Sequence, residues 1–198
     1  MYISMIIVDV ETSGITPVRH SLLSVGAVDF SNPGRLFYEE CRIFDGAHVD
    51  KESLKINGFT NEEITDSKKK TDREVIESFL RWANEAKERT IAGQNPAFDR
   101  DFLQATAHRY HLDWKFAHRT IDLHSVCYSH MIEHGIRPPE DKGHSALNLD
   151  RILKYVGLRP REGKHNGLAD AKLEAEAFSR LFYKRGLLPE YEKFPIAA

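Results

Sequence analysis

IIVDVETSG, residues 6–14, is the stretch on which the reading of the fold turns. Ile6, Ile7 and Val8 are apolar and β-branched, the composition of a buried strand. Asp9 and Glu11 follow, two residues apart, and side chains two apart on a strand share a face. The strand therefore ends with two carboxylates side by side. Burying one unpartnered carboxylate is costly, and two together repel. Either the strand stops at Asp9 and both acids lie in water, or something positive sits between them. A hard divalent cation takes oxygen ligands and converts the repulsion into attraction.

Working outward, residues 3–10 read as a strand and 12–17 as a turn punctuated by Gly14 and Pro17. Residues 22–30 and 36–44 read as further strands joined by the turn SNPGR, so the chain opens as an antiparallel meander. Thr60 or Asn61 ahead of Glu63 is a helix-capping signature. Residues 72–89 space Val75, Ile76, Phe79, Leu80 and Ala83 at helical intervals. A short strand at 90–95 runs into a helix at 97–110 with Pro96 in its first turn. A short strand and helix follow over 118–133, then helices over 146–157 and 167–186, closed by Gly157 and Gly186. Strands first and helices later predict a mixed sheet with helices packed on it.

Composition narrows the function classes. The 198 residues suffice for one domain with a sizeable core. Net charge is −2, so no global positive field announces a coating protein for polyanions. The two cysteines, Cys41 and Cys127, show neither metal-type spacing nor a disulfide framework, which fits a reducing cytoplasm. The first ten residues lack the features of a signal peptide, and no apolar run is long enough to span a bilayer. We therefore expect a cytoplasmic protein with no membrane partner.

A cation site needs more ligands than two. Asp99, in NPAFD, sits at a helix start beside the apolar pair Phe98 and Phe102. A first-turn Asp is also favoured by the helix dipole alone. Asp170 lies one turn into the last long helix between Ala169 and Ala171, which leave room for an approaching group. His165 precedes that helix, and Gly167 permits the chain to bend so that the imidazole folds over Asp170.

Together the pieces resemble a known family. DVETSG at 9–14, NPAFD at 95–99 and HNGLAD at 165–170 are similar, in order and spacing, to the three motifs of the DEDDh (DnaQ-like) 3′–5′ exonucleases. INGFT at 56–60 is similar to a further family stretch from which Asn57 and Phe59 depart, and Ser13 replaces a frequent threonine. The resemblance implies an α/β, RNase H-like exonuclease fold with a mixed five-stranded sheet and helices on both faces. The match spans roughly residues 5–182, so one exonuclease domain is expected over residues 1–186, and the ending LLPEYEKFPIAA reads as a C-terminal surface tail over 187–198. The resemblance also implies roles: Asp9, Glu11, Asp99 and Asp170 as ligands of two divalent cations, Mg²⁺ or Mn²⁺, and His165 as general base. Thr12, Ile15, Asn95 and Phe98 are the implied contacts to substrate.

The chemistry suits those residue types. Two cations about 4 Å apart can steady both the attacking and leaving oxygens of a phosphodiester. Carboxylates suit Mg²⁺ or Mn²⁺ where thiolates do not. An imidazole takes up a proton near neutral pH. The function the resemblance implies is release of nucleoside 5′-monophosphates from single-stranded nucleic acid 3′ ends, with DNA favoured. An RNA-trimming exoribonuclease or oligoribonuclease of the same family is the alternative, and an inactive single-strand-binding module is the alternative from another class. Homodimers occur in related enzymes. The basic positions Arg151, Lys154, Arg159, Arg161 and Lys164 are read either as a phosphate track or as a solvated face.

Overall fold

The computed structural model describes residues 2–161 and 163–197. The meander forms as the sequence predicts: β1 (Ile6–Thr12), β2 (Leu22–Asp29) and β3 (Leu36–Arg42) pair antiparallel in succession. Two short helices follow, α1 (Lys51–Asn57) and α2 (Asn61–Thr65). The second begins with the expected capping box, in which Thr60 and Glu63 satisfy each other's backbone N–H. Next come β4 (Lys70–Thr71), α3 (Asp72–Asn84), β5 (Ile91–Gly93) and α4 (Pro96–Arg109), then β6 (Thr120–Asp122) and α5 (Leu123–Glu133). A two-stranded hairpin, β7 (Glu140–Asp141) and β8 (His144–Ser145), precedes α6 (Leu149–Tyr155) and α7 (Gly167–Tyr183).

The main sheet runs β4-β3-β2-β1-β5-β6, with β5 parallel to β1, β6 parallel to β5 and β4 parallel to β3. It holds the five expected strands plus β4, a two-residue edge strand that begins on the last residue of the lysine run at 68–70. There Lys69 and Lys70 pair with Glu40 and Glu39 of β3. Helices cover both faces. Ile6, Val8 and Val10 of β1 pack with α3 and α4, whereas Ile7 faces the cluster built from α5, α6 and α7. The period of two along β1 therefore puts Asp9 and Glu11 on the α7 face, in line with Ile7.

Residues 187–197 run along the surface but are anchored. Arg180 and Glu176 are both buried and paired at 2.8 Å. Arg180 donates to the carbonyls of Val156, Tyr191, Phe194 and Pro195, and Glu176 accepts from the amides of Leu187 and Leu188. An ion pair on α7 thus supplies the hydrogen bonds that this irregular segment lacks internally.

Candidate active site

The site forms where the end of β1 meets the starts of α4 and α7. One contact that assembles it is backbone on backbone. Gly26 of β2 lies opposite Asp9, and a Cβ there would be 2.1 Å from the Gly167 carbonyl carbon and the Leu168 nitrogen. A Cβ on Gly167 would be 2.7 Å from the Asp9 carbonyl oxygen. Two glycines without side chains let the first turn of α7 rest directly on the strand carrying Asp9. Gly167 serves this close approach rather than the bend expected from sequence, and its φ is not in the left-handed region.

That seating brings the third motif to the first. Ligand atoms of Glu11, His165 and Asp170 lie within 4.8 Å of one another. His165 Nδ1 is 3.8 Å from Asp170 Oδ2. Asp99 arrives by another route. Strand β5 ends at Gly93, so the β1 amide of Val10 has no strand partner on that side, and Asp99 Oδ1 accepts from it at 2.9 Å. Its side chain is buried, while Asp101, two residues on, is exposed and pairs with Arg100.

The acids act on one another electrostatically. Burial pushes the Asp9 carboxyl well above its ordinary value, and Glu174, Asp99, Glu11 and Asp170 push it further. Burial, with help from Asp170 and Asp99, raises Glu11 to about 8, against the opposing pull of Arg161. Burial raises Asp99 to about 7, although the Val10 N–H works the other way. Asp170 is raised by burial and held back by Arg161. Glu11 Oε1 is buried with no hydrogen-bond partner among the described residues. Buried carboxylates with unused lone pairs and raised proton affinity are what a hard cation would relieve, so the donor set fits divalent metal.

Two members escaped the sequence reading. Glu174 is fully buried one turn beyond Asp170 on α7, where burial and then Asp99 push its carboxyl well upward. Its Oε2 has no partner among the described residues, and a Cβ on Gly93 would lie 3.0 Å from it. The i, i+4 spacing from Asp170 was the available signal. Arg161 is the second. It donates from Nη1 to Asp170 Oδ2 at 3.1 Å and to His165 Nδ1 at 3.3 Å, and from Nε to Asp150 Oδ1 at 3.0 Å. Its sequence neighbours behave otherwise. Lys164 bonds the Gly58 carbonyl, Arg151 bonds the Ala146 carbonyl, and Arg159 lies over Phe194.

The residues expected to meet substrate are spread over the rim. Ile15 is 74% exposed on the turn after β1. Phe98 is half-buried and packs on Phe102, with ring centroids 4.9 Å apart. Asn95 is exposed in a left-handed conformation, and its amide donates to Asp122. Thr12 is buried. Its hydroxyl donates to the Gly14 carbonyl, and its own carbonyl accepts from Asn57, the residue at which INGFT departs from the family. Ser13 pins the same turn by donating to the His48 carbonyl and accepting from the Ser21 amide. Beside His165 lies a cleft of about 230 Å³ whose lining includes Tyr38, Asn57, Gly58, Phe59 and Asn166.

Residues 4–182 match the model of the 3′-5′ exoribonuclease Rv2179c-like domain. The chain belongs to that family. With it the chain joins the DnaQ-like 3′–5′ exonucleases, and the fold is RNase H-like. One relative of this Rv2179c-like chain is the 3′-5′ DNA exonuclease Cap18 of Escherichia coli, 27% identical over 86% of the chain and 87% of the relative. Another is the PolC-type DNA polymerase III of Thermotoga maritima, 25% identical, of which the match spans only 12%. Among solved structures, E. coli Exonuclease I in complex with a 5cy-dT13 oligonucleotide aligns with a TM-score of 0.71 at 22% identity. That alignment covers 92% of this chain and 41% of Exonuclease I. A zinc-bound form of the E. coli Exonuclease I–single-stranded DNA complex aligns with a TM-score of 0.72 at 19% identity.

Proposed function

We propose that this Rv2179c-like chain is a metal-dependent 3′–5′ exonuclease that removes nucleoside 5′-monophosphates from single-stranded DNA ends. The observation that carries this reading is the convergence of Asp9, Glu11, Asp99, His165 and Asp170 from three distant motifs. In it, Asp9, Glu11, Asp99 and Asp170 would hold two Mg²⁺ or Mn²⁺ ions. Such ions, when bound, make water a stronger nucleophile and steady charge on the leaving 3′ oxygen.

The chain's own groups do the rest. Asp9, on the strand between α4 and α7, is the acid that the others surround, as the four acidic neighbours raising its proton affinity attest. His165, part-exposed next to Glu11 and Asp170, takes the proton of the attacking water and passes it to solvent. Ile15 and Phe98 offer apolar faces to the terminal bases, contacts worth about 1–3 kcal/mol per base where stacking is good. Thr12 offers its backbone and hydroxyl to the terminal sugar.

DNA is favoured because the end-to-end relative Cap18 is a DNA exonuclease. The RNA reading rests on the family's description as an exoribonuclease domain, and the acids act on phosphate whichever sugar bears it. A binding-only module fits poorly, since buried carboxylates would repel a strand they do not cleave.

The test uses 3′-labelled single-stranded DNA, duplex DNA and RNA, each with Mg²⁺ or with chelator. Metal-dependent release of single nucleotides from the 3′ end, fastest on single-stranded DNA, is expected. Asp9→Ala should abolish it and His165→Ala should cut it severely. Activity that survives chelator or Asp9→Ala would overturn the mechanism, and faster loss of the RNA would move the assignment to the exoribonuclease reading.

A further inference from the structure

Arg161 stands where the proposed chemistry needs an open position. Its Nη1 reaches both Asp170 Oδ2 at 3.1 Å and His165 Nδ1 at 3.3 Å. A guanidinium is donor-only. The bond to His165 therefore uses the Nδ1 lone pair, and a neutral imidazole held this way carries its proton on Nε2. Neither ring nitrogen is then free to accept a proton from water. At the same time Asp170 gives one oxygen to the guanidinium instead of to a metal. The arginine is tethered from behind, because Nε donates to Asp150 Oδ1 at 3.0 Å. Asp150 sits on α6, outside the acidic cluster, and its side chain is 41% exposed. Arg161 can thus leave Asp170 and His165 without losing its anchor.

We propose that Arg161 is a positioning residue with two placements. Without metal it is the internal counter-ion of the cluster, bridging Asp150, Asp170 and His165 and occupying the His165 lone pair that faces the acids. Divalent ions load by displacing Nη1 from Asp170. The displaced guanidinium stays on Asp150, and the Nδ1 lone pair of His165 is freed to accept from water. The inference rests on the reading that the site takes divalent metal, and it adds that loading and base activation are one event.

Two measurements test it on the whole chain. In calorimetric titrations with Mn²⁺, Arg161→Gln and Arg161→Ala should both bind tighter than wild type. A charge-assisted bond removed from competition corresponds to about 10-fold. Two variants of different size guard against one that misfolds. In ¹⁵N NMR of the histidine side chains, the His165 Nδ1 signal of wild type should move on saturation with Mg²⁺, as a bonded lone pair is freed, and in metal-free Arg161→Ala it should already lie away from the wild-type position. Unchanged or weaker Mn²⁺ affinity in both variants would overturn the proposal, as would a His165 Nδ1 signal indifferent both to Mg²⁺ that wild type demonstrably binds and to Arg161→Ala. Failure of wild type to bind Mn²⁺ at all would instead overturn the metal reading beneath it.

Discussion

Gly26→Ala is the perturbation that most directly probes how the site is assembled. The added Cβ would lie 2.1 Å from the Gly167 carbonyl carbon and the Leu168 nitrogen, where ordinary contact begins near 3.4 Å. Both obstacles are backbone, so no side chain can swing aside. The first turn of α7 must lift by about 1.3 Å, carrying Asp170 and the His165 loop away from Asp9 and Glu11. Overpacking of this kind costs about 1–3 kcal/mol of stability. A displacement of about 1 Å in a catalytic constellation costs about 100-fold in rate. The variant should therefore fold, melt several degrees lower, and lose about two orders of magnitude in turnover of a 3′-labelled oligonucleotide. Thermal melting and single-turnover cleavage, both with saturating Mg²⁺, separate the two effects. A variant within about 3-fold of wild-type activity would refute the claim that the glycine contact sets the geometry.

The raised carboxyls predict a pH dependence in the metal-free protein. Glu11 at about 8, Asp99 at about 7 and the raised Asp9, Asp170 and Glu174 hold more protons folded than unfolded. Stability should therefore fall as pH rises from about 5 through 8, and Mg²⁺ should restore it most at the alkaline end; melting curves across that range check the sign. Glu174→Gln, which mimics the protonated acid, should flatten this slope with little change near pH 5, and an unchanged slope would remove Glu174 from the cluster. Arg180→Met strands Glu176 in the core, and losing one partner of a buried pair costs about 3–5 kcal/mol. The melting temperature should drop by roughly 10 °C, and Glu176→Gln in the same chain should recover part of it. Tyr38→Phe removes the hydroxyl that accepts from Asn166, the N-cap of α7. Turnover should fall several-fold with KM unchanged, and a change in KM alone would point to substrate contact instead.

The sheet and its acids were legible because they are written in short-range patterns. The β-branched run before Asp9, the Thr60–Glu63 cap and the Pro96 helix start each act within a few residues. What stayed hidden depends on contacts between distant elements. Gly26 reads as an ordinary strand glycine until α7 is seen resting on it. Arg161 reads as one charge in a basic stretch, and only the fold turns it onto Asp170. Glu174 looks like one more acid on an amphipathic helix, since burial on a sheet face is invisible in composition. The C-terminal segment reads as surface because its hydrogen bonds come from Arg180 and Glu176, two charged side chains that a periodicity argument would assign to solvent.

The contact between Gly26 and Gly167 also has a bearing on the order of assembly. It joins β2 to the start of α7 across about 140 residues of intervening chain, so the acids gather only once that long loop has closed. A folding intermediate with the meander and α4 in place but α7 unseated holds Asp9, Glu11 and Asp99 without Asp170 and His165.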